Sequence, residues 1–530
     1  MILVRTGFLA TAWIAHDGNR RPEPESDRES GGGTVIWPIL EWMAAAPFAL
    51  LAVLSLNLLA LCAALPLTAG RQWRRQVVAK LPADLPRVLI QLPVYNEPDV
   101  VARALRAAAA LDWPRDRLRI QLLDDSTDLT SDVAAALAAA FSEQGFDIRH
   151  VRRRDRQGYK AGALANGLTQ DDSPFIAIFD ADFVAPADFL KRAMSALLTD
   201  ETFAFVQARW EHLNRLENPL TIAQAMMIDA HFMIEQRARS RTRLMLPFNG
   251  TCGIWRRAAI DSAGGWAGDT LCEDLDLSLR ARLAGWKAIF LETIAVPGEL
   301  PPTLTAWRSQ QFRWTKGFVQ VGRKLFAKVW RSDLPFLAKL GFTLQISQPL
   351  CYPLTALSLL STFLLLLDPD QGTSELSRCG GTAALLGLGA SALCLGTAAF
   401  SLRRGRWFRF PLAIVTIILL NAGLLVSNSR AVVEGLIGTK SPFVRTPKCG
   451  AYQAGAAEKV GPSGASELLL ALVVGSAFAF ESGWASPLFS LSVAGLVIMG
   501  AGLARERRIQ AARKATFWRL TNRIGDQSAE

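Results

Sequence analysis

Carboxylates recur in this chain at three places where a short apolar run ends. They are Asn96-Glu97 within Pro93-Val94-Tyr95-Asn96-Glu97-Pro98, then Asp124-Asp125-Ser126-Thr127-Asp128, then Asp180-Ala181-Asp182. Acids brought close together repel unless a cation or a donor-rich ligand lies between them. Asp180 and Asp182, one residue apart at a strand end, suit a divalent ion bridging to a diphosphate, because Mg2+ favours one or two carboxylates plus phosphate oxygens. Any one of these acids also reads as a turn-forming Asp; three such sites on one rim are harder to explain that way.

Four more segments extend the series. Gly158-Tyr159-Lys160-Ala161-Gly162 opens a helix-like stretch; helix N-termini attract phosphate, and Lys160 adds a point charge, although the same residues suit an ordinary loop-to-helix junction. Phe248-Asn249-Gly250-Thr251-Cys252-Gly253 is a loop of small residues that allows close backbone approach to a ligand. Thr270-Leu271-Cys272-Glu273-Asp274-Leu275-Asp276 gathers acids in a first helical turn, where the macrodipole favours them anyway; the functional reading is a general base for a sugar hydroxyl. In Gln310-Gln311-Phe312-Arg313-Trp314 the Trp either anchors an interfacial helix or stacks on a sugar ring while Arg313 meets a diphosphate.

These residues need elements to hold them. Strand-like runs at 88–92, 118–123, 175–179 and 203–208 alternate with Ala-rich helical stretches such as 99–111 and 131–142. That alternation predicts an α/β fold, a mostly parallel sheet with helices on both faces. Ligands in such sheets bind beyond the carboxyl ends of strands, which is where the acids fall.

Composition sets the wider frame. The 530 residues are 50% hydrophobic and 20% charged, with 58 Lys+Arg against 47 Asp+Glu, a net +11. The chain is too apolar for an ordinary soluble enzyme and too charged for a bundle of membrane helices alone, so a hybrid is expected. Disorder is excluded, and no nucleic-acid partner is expected, because the basic excess sits beside apolar runs. Seven scattered Cys and four His show neither a CxxC pair nor metal-ligand spacing, which argues against a disulfide framework and against zinc.

Six uncharged runs, 42–70, 340–367, 379–402, 410–429, 468–480 and 482–504, are membrane candidates, a span needing about 20 apolar residues. The fifth is extended back to Ala465, with Glu467 snorkelling. Lys and Arg collect in cytoplasmic loops, which places the block 85–335 in the cytoplasm after a first membrane helix at 42–70. The same rule predicts five spanning helices within 42–70 and 340–504, an interfacial segment at 410–437 and a basic cytoplasmic tail at 505–530. Residues 1–41 are expected to form a flexible arm.

The ordered set over 88–320 resembles glycosyltransferase family 2, within it the cellulose synthase and cellulose synthase-like group. The phrases LDDSTD, QARWEHLN, IDAHFMIEQ and FNGTCGIWR resemble the A-type branch, the β-mannan and glucomannan synthases and their bacterial relatives. Phe443-Val444-Arg445-Thr446-Pro447-Lys448 resembles the gating loop of cellulose synthase, with Arg445 in place of the usual Val; Phe443, Thr446 and Lys448 would be its working residues, in a loop at 440–450. Cys272 stands where many members have Thr.

The resemblance implies a cytoplasmic Rossmann-like GT-A domain inserted between transmembrane helices of a bacterial inner-membrane protein. It implies that Asp125 contacts the nucleotide base or ribose, with Asn96 and Glu97 bordering the same pocket. Asp180 and Asp182 would position the diphosphate and a Mg2+ or Mn2+ ion, with Lys160 nearby. Asp274, beside Glu273, would deprotonate the acceptor hydroxyl, and Gln310, Arg313 and Trp314 would hold the diphosphate and the acceptor end, with Gly250 and Cys252 at the acceptor. The implied activity is processive, inverting polymerisation of a nucleotide-sugar (GDP-mannose, GDP-glucose or UDP-glucose) into a growing glycan chain that crosses the lipid bilayer. A glycolipid-forming transferase like ceramide glucosyltransferase and a catalytically silent scaffold or sensor are the competing readings.

Overall fold

The computed structural model describes residues 36–68, 80–366, 375–405, 410–439, 464–480 and 487–527. Most of the expected N-terminal arm and the whole gating-like loop at 440–450 lie outside the described residues.

Seven strands form one sheet: β1 Val88–Val94, β2 Leu118–Asp124, β3 Asp147–Arg152, β4 Phe175–Ile178, β5 Phe203–His212, β6 Gly253–Arg256 and β7 Lys287–Gly298. Their order is β3-β2-β1-β4-β6-β5-β7. β6 runs antiparallel to both its neighbours, and every other pairing is parallel. The sheet is therefore mixed, with one reversed strand in an otherwise parallel array. β1 and β4 are buried almost throughout, so they read as continuous apolar runs. Sequence pattern did not reveal three strands: β3 is a charged edge strand, β6 has four residues opened by Gly253, and β7 is the opposite edge, its apolar residues interrupted by Glu292 and Thr293.

Helices cover both faces. On one side α1 Pro98–Ala109, α2 Thr130–Glu143 and α3 Phe189–Leu197 bury Val101, Ala134 and Phe189 against the sheet. On the other, α4 Tyr159–Leu168, α5 Pro219–Ala230, α6 Arg257–Ser262 and α7 Glu273–Leu283 bury Leu164, Ile228, Ile260 and Leu277. A polar bracket registers α4: Gln91 donates to Gln121 (3.1 Å) and to the Leu164 carbonyl, and Gln121 donates to the Gly167 carbonyl. A Cβ at Gly167 would stand 2.5 Å from both glutamine side chains, so a larger residue there would displace the bracket.

A second core is all helical. Ile36–Thr68, Cys351–Leu366, Glu375–Ser401, Phe410–Gly423, Leu425–Ile437, Ala465–Phe480 and Pro487–Gln527 pack together, and Met227 and Ile234 of the sheet domain join their core. Among the described residues one helix, Ala46–Thr68, is long and apolar enough to cross a membrane. Phe410–Gly423 and Leu425–Ile437 meet that standard together, bent by 50°. The single span expected over 340–367 is instead two helices, Phe336–Ser347 and Cys351–Leu366, separated by a short 3-10 turn at Gln348–Leu350 that contains Pro349. The membrane pattern read from the sequence is thus only partly matched by helix length.

The long helix α8, Leu304–Arg331, joins the two halves. Glu506 accepts hydrogen bonds from the Leu304 and Thr305 amides at its N-terminus. Arg308 pairs with Glu467 at 2.7 Å, and Lys316, fully buried, pairs with Glu434 at 2.7 Å. Glu467 does not snorkel to solvent as expected: its side chain is 0% exposed, because Arg308 supplies the counter-charge in place. Removing one member of a buried pair strands the other charge. Arg308→Ala is expected to cost about 3–5 kcal/mol of stability, read by thermal unfolding in detergent, and Arg308→Met with Glu467→Met should recover most of it.

Candidate active site

The acids at the strand ends open into a single cleft between the sheet, α7 and α8. Its walls include Tyr95 and Glu97 after β1, Asp125 after β2, Asp180 and Asp182 after β4, Glu273 and Asp274 at the start of α7, and Gln310, Arg313 and Trp314 from α8. Lys160 and Gly250 also border it. Of the described residues expected at the site, only Asn96 and Cys252 stand apart from this group.

Asn96 adopts a left-handed backbone (φ 51°), a conformation Asn tolerates better than most residues. Its amide donates to Ser126 Oγ, and its side chain accepts from the Thr127 amide (2.9 Å), so it ties the loop after β1 to the loop after β2. Cys252, expected at the acceptor, is fully buried beneath the cleft: it packs in the apolar core at the start of β6, and its amide donates to the Ile178 carbonyl.

Asp124 and Asp125 divide their work. Asp124 is buried and accepts from the Ser126 amide and pairs with His150 at 2.9 Å. Burial alone would raise its pKa; the His150 and Ser126 contacts outweigh that and hold it down at about 2. Asp125 faces the cleft with both oxygens gripped by Arg153 (Nε at 2.8 Å, Nη2 at 2.5 Å). Arg153 also donates to the Gln157 and Tyr159 carbonyls, which fixes the loop that leads into α4. Beside it the Arg156 guanidinium lies 3.2 Å above the Tyr95 ring. Arg153 and Arg156 escaped the sequence reading because Arg152-Arg153-Arg154 looks like a solvated charge run.

Lys160 is the positive centre. Its ammonium donates to Asp180 Oδ1 (2.5 Å) and to the Gly250 carbonyl (2.9 Å). Burial alone would lower its pKa, but Asp180, Glu273 and Asp274 together raise it, so it stays charged. Opposite it, burial raises Glu273, and burial plus the Glu273 charge push Asp274 up to about 7. Asp276, third acid of the turn, plays another part: fully buried, it pairs with Arg280 and Lys324.

Gly250 sits between the two charge groups at φ +82°, and a Cβ there would lie 3.0 Å from Asp274 Oδ2. His231, which the residue pattern did not single out, also lines the cleft, as do Trp210, His212 and Glu299, together with Asn249 of the small-residue loop. The signal that was available lay in the phrases QARWEHLN and IDAHFMIEQ, already quoted for resemblance but with no role attached.

A mixed sheet with acidic loops at its carboxyl edge, capped by an α7-type acid pair, is a GT-A-like glycosyltransferase fold. A solved mannosyltransferase from Pyrobaculum calidifontis, in complex with GDP-Man and Mn2+, shares that fold at TM-score 0.52, with 22% identity over 77% of this chain and 100% of that one. Residues 86–317 match the family described as Glycosyltransferase like family 2. Glucomannan 4-beta-mannosyltransferase 2 of Arabidopsis thaliana is 44% identical over 254 residues, 47% of this chain and 48% of the relative. Probable glucomannan 4-beta-mannosyltransferase 11 of Oryza sativa subsp. japonica is 44% identical over 248 residues, 46% of this chain and 44% of that protein. The matched segment thus spans about half the length of these relatives.

The raised pKa of Asp274 has a sign. The folded state favours its protonated form, so its contribution to stability is present below the unfolded value and is lost as pH rises through about 7. Asp274→Asn is therefore expected to raise the melting temperature at pH 8 and to have little effect near pH 4, measured by thermal shift at both pH values.

Proposed function

We propose that this protein is a processive, inverting β-glycosyltransferase that uses a GDP-sugar, with GDP-mannose as the preferred donor, and extends a β-mannan or glucomannan chain. The observation that carries this is the Asp274 carboxylate, raised to about 7 and facing the Lys160–Asp180 pair across Gly250 in the same cleft as Trp314. The relatives' names, glucomannan 4-beta-mannosyltransferase, supply the sugar.

In this reading Asp274 takes the proton of an acceptor hydroxyl, whose oxygen attacks the anomeric carbon from the face opposite the leaving group. The bond from that carbon to the diphosphate breaks, and the configuration inverts. Lys160 and Arg313 balance the charge that develops on the departing nucleotide diphosphate. A general base works best with a pKa near the operating pH, and burial with Glu273 brings Asp274 there. Trp314 offers a flat apolar face to the acceptor sugar, and Gln310 and Glu97 border the donor. Asp125, clamped by Arg153, would meet the nucleoside from its fixed position.

Asp180 and Asp182 fit a hard divalent cation such as Mg2+ or Mn2+, which prefers carboxylate and phosphate oxygens. Among the described residues no cluster of three or more His, Cys, Asp or Glu could hold an ion by itself, so the diphosphate would complete its coordination. Such an ion would supply electrostatic support to the leaving group.

A membrane setting accords with the helical half. Leu56, Leu412 and Leu472 stand 52%, 71% and 70% exposed on its helices, an apolar surface that water would not favour and lipid would. With the sheet domain in the cytoplasm, the helices of 340–504 form the route for the product, and the gating-like loop with Phe443, Thr446 and Lys448 belongs to that route. The bend at Gly423–Leu425 supports a segment that dips into the cytoplasmic face.

Nucleotide diphosphate release by the purified protein in nanodiscs tests this, with GDP-mannose, GDP-glucose, UDP-glucose and UDP-N-acetylglucosamine as donors and Mg2+ or Mn2+ present. Turnover of GDP-mannose into a polymer is expected, rising with pH to a plateau above about 7 as Asp274 loses its proton. Asp274→Asn should lower it by about 10²–10⁴-fold. A lipid-linked product alone would replace the polymerase reading with the glycolipid one, and an unimpaired Asp274→Asn would remove the base assignment.

A further inference from the structure

The helix that carries IDAHFMIEQ changes register in the middle. After α5 ends at Ala230, residues His231–Gln236 form a π-helical turn, and a regular α-helix resumes at Arg237–Thr242. Such turns are rare and cost hydrogen-bond geometry, so one inside a buried helix asks for a reason. All six of its residues are buried, and its first, His231, reaches the cleft.

The reason lies in what the turn grips. His231 Nε2 lies 3.0 Å from Asn249 Nδ2, and Gln236 Nε2 donates to Asn249 Oδ1 and, at 3.0 Å, to the Pro247 carbonyl. His231 and Gln236 are five residues apart. At 3.6 residues per turn they would point about 140° apart; bonds running from i to i+5 bring them onto one face. The widened turn thus lets two side chains hold the two ends of one amide.

His231 acts here as a fixed neutral imidazole. Burial pushes its pKa down to about 4. Its Nδ1 lies 3.2 Å from a Glu235 carboxylate oxygen, so that nitrogen carries the proton and Nε2 accepts from Asn249. Two further bonds complete the grip on the loop: the Asn249 amide donates to Gln207 Oε1 (2.8 Å), and the Phe248 amide donates to Ser278 Oγ (2.8 Å). Ser278 in turn donates to the Asp274 carbonyl. The next residue, Gly250, accepts from Lys160 and lies against Asp274.

We infer that His231, oriented by Glu235 in the π turn, is a positioning residue that sets Asn249-Gly250, and through it the separation of Lys160 from Asp274. It touches neither the proton transferred nor the bond broken. This rests on the proposed role of Asp274 as base. A misplacement of about 1 Å in such an arrangement can cost on the order of 100-fold in rate, so the effect belongs in kcat and not in donor affinity.

The test compares wild type, His231→Leu and His231→Gln in nanodiscs. Leu keeps the bulk and loses the acceptor, whereas the Gln amide oxygen can still accept from Asn249. Two readouts are taken: kcat and KM for GDP-mannose, and hydrogen exchange by mass spectrometry over 247–252 against 88–94. Expected for His231→Leu is a kcat drop of about 10- to 100-fold, KM within threefold, and exchange at least tenfold faster over 247–252 only; His231→Gln should recover most of both. Unchanged kcat and exchange in His231→Leu, or equal losses in the Leu and Gln variants, overturn the inference. If His231→Leu does not accumulate folded, Glu235→Leu, which removes the acceptor for His231 Nδ1–H, goes through both readouts with the same expectation. A wild type that turns over no donor overturns the transferase reading instead, and exchange over 247–252 alone then decides the positioning claim.

Discussion

A single ammonium holds the cleft together. Lys160 stands where Asp180, Glu273 and Asp274 all face inward, and without it those carboxylates would repel across a poorly solvated space. Its two hydrogen bonds also join elements far apart in sequence, since Asp180 follows β4 and Gly250 precedes β6. The reversed strand β6 is what carries Gly250 back alongside β4, so the irregularity in the sheet and the charge balance of the cleft are one arrangement.

From that centre the support spreads outward in two directions. Toward the sheet, the Asn249 loop is held by Gln207 of β5 and by the π turn, both fully packed. Toward the helical half, Gly317 of α8 closes on Cys272: a Cβ there would meet the Cys272 sulfur at 2.3 Å. The adjacent Lys316 reaches Glu434 in Leu425–Ile437. The acids of α7 are thus pressed from one side by the sheet domain and from the other by a helix tied to the apolar half. A site placed at this junction is in contact with both halves.

Several features were legible before folding because they follow from local rules. Continuous apolar runs marked β1, β2, β4 and β5, since a strand covered on both faces has no polar side to show. The acids sat just beyond those strands, where an α/β sheet binds its ligands. The charged edge strand β3 and the short β6 were not legible, because charge at an edge and brevity both erase the pattern, whereas β7 carries apolar runs at 288–291 and 294–296 that the reading passed over. The helical half was read less well: the proline-containing turn at Gln348–Leu350 divides one expected span, and the bend after Gly423 falls inside the segment expected to be interfacial; hydropathy registers neither.

Residue chemistry and spacing by themselves determined that acids, a lysine, a small-residue loop and a Trp-Arg pair form an ordered series, because donors and acceptors are intrinsic to side chains. Tertiary structure alone decided which of them meet. It brought Asp180 to Lys160 and Gly250 to Asp274, gave Asp125 to Arg153, took Cys252 into the core, and enlisted His231 and Asn249. The burial that, with the adjacent Glu273 charge, sets Asp274 near 7, and the carboxylates that keep Lys160 protonated, come together only when separate chain segments share one enclosed space.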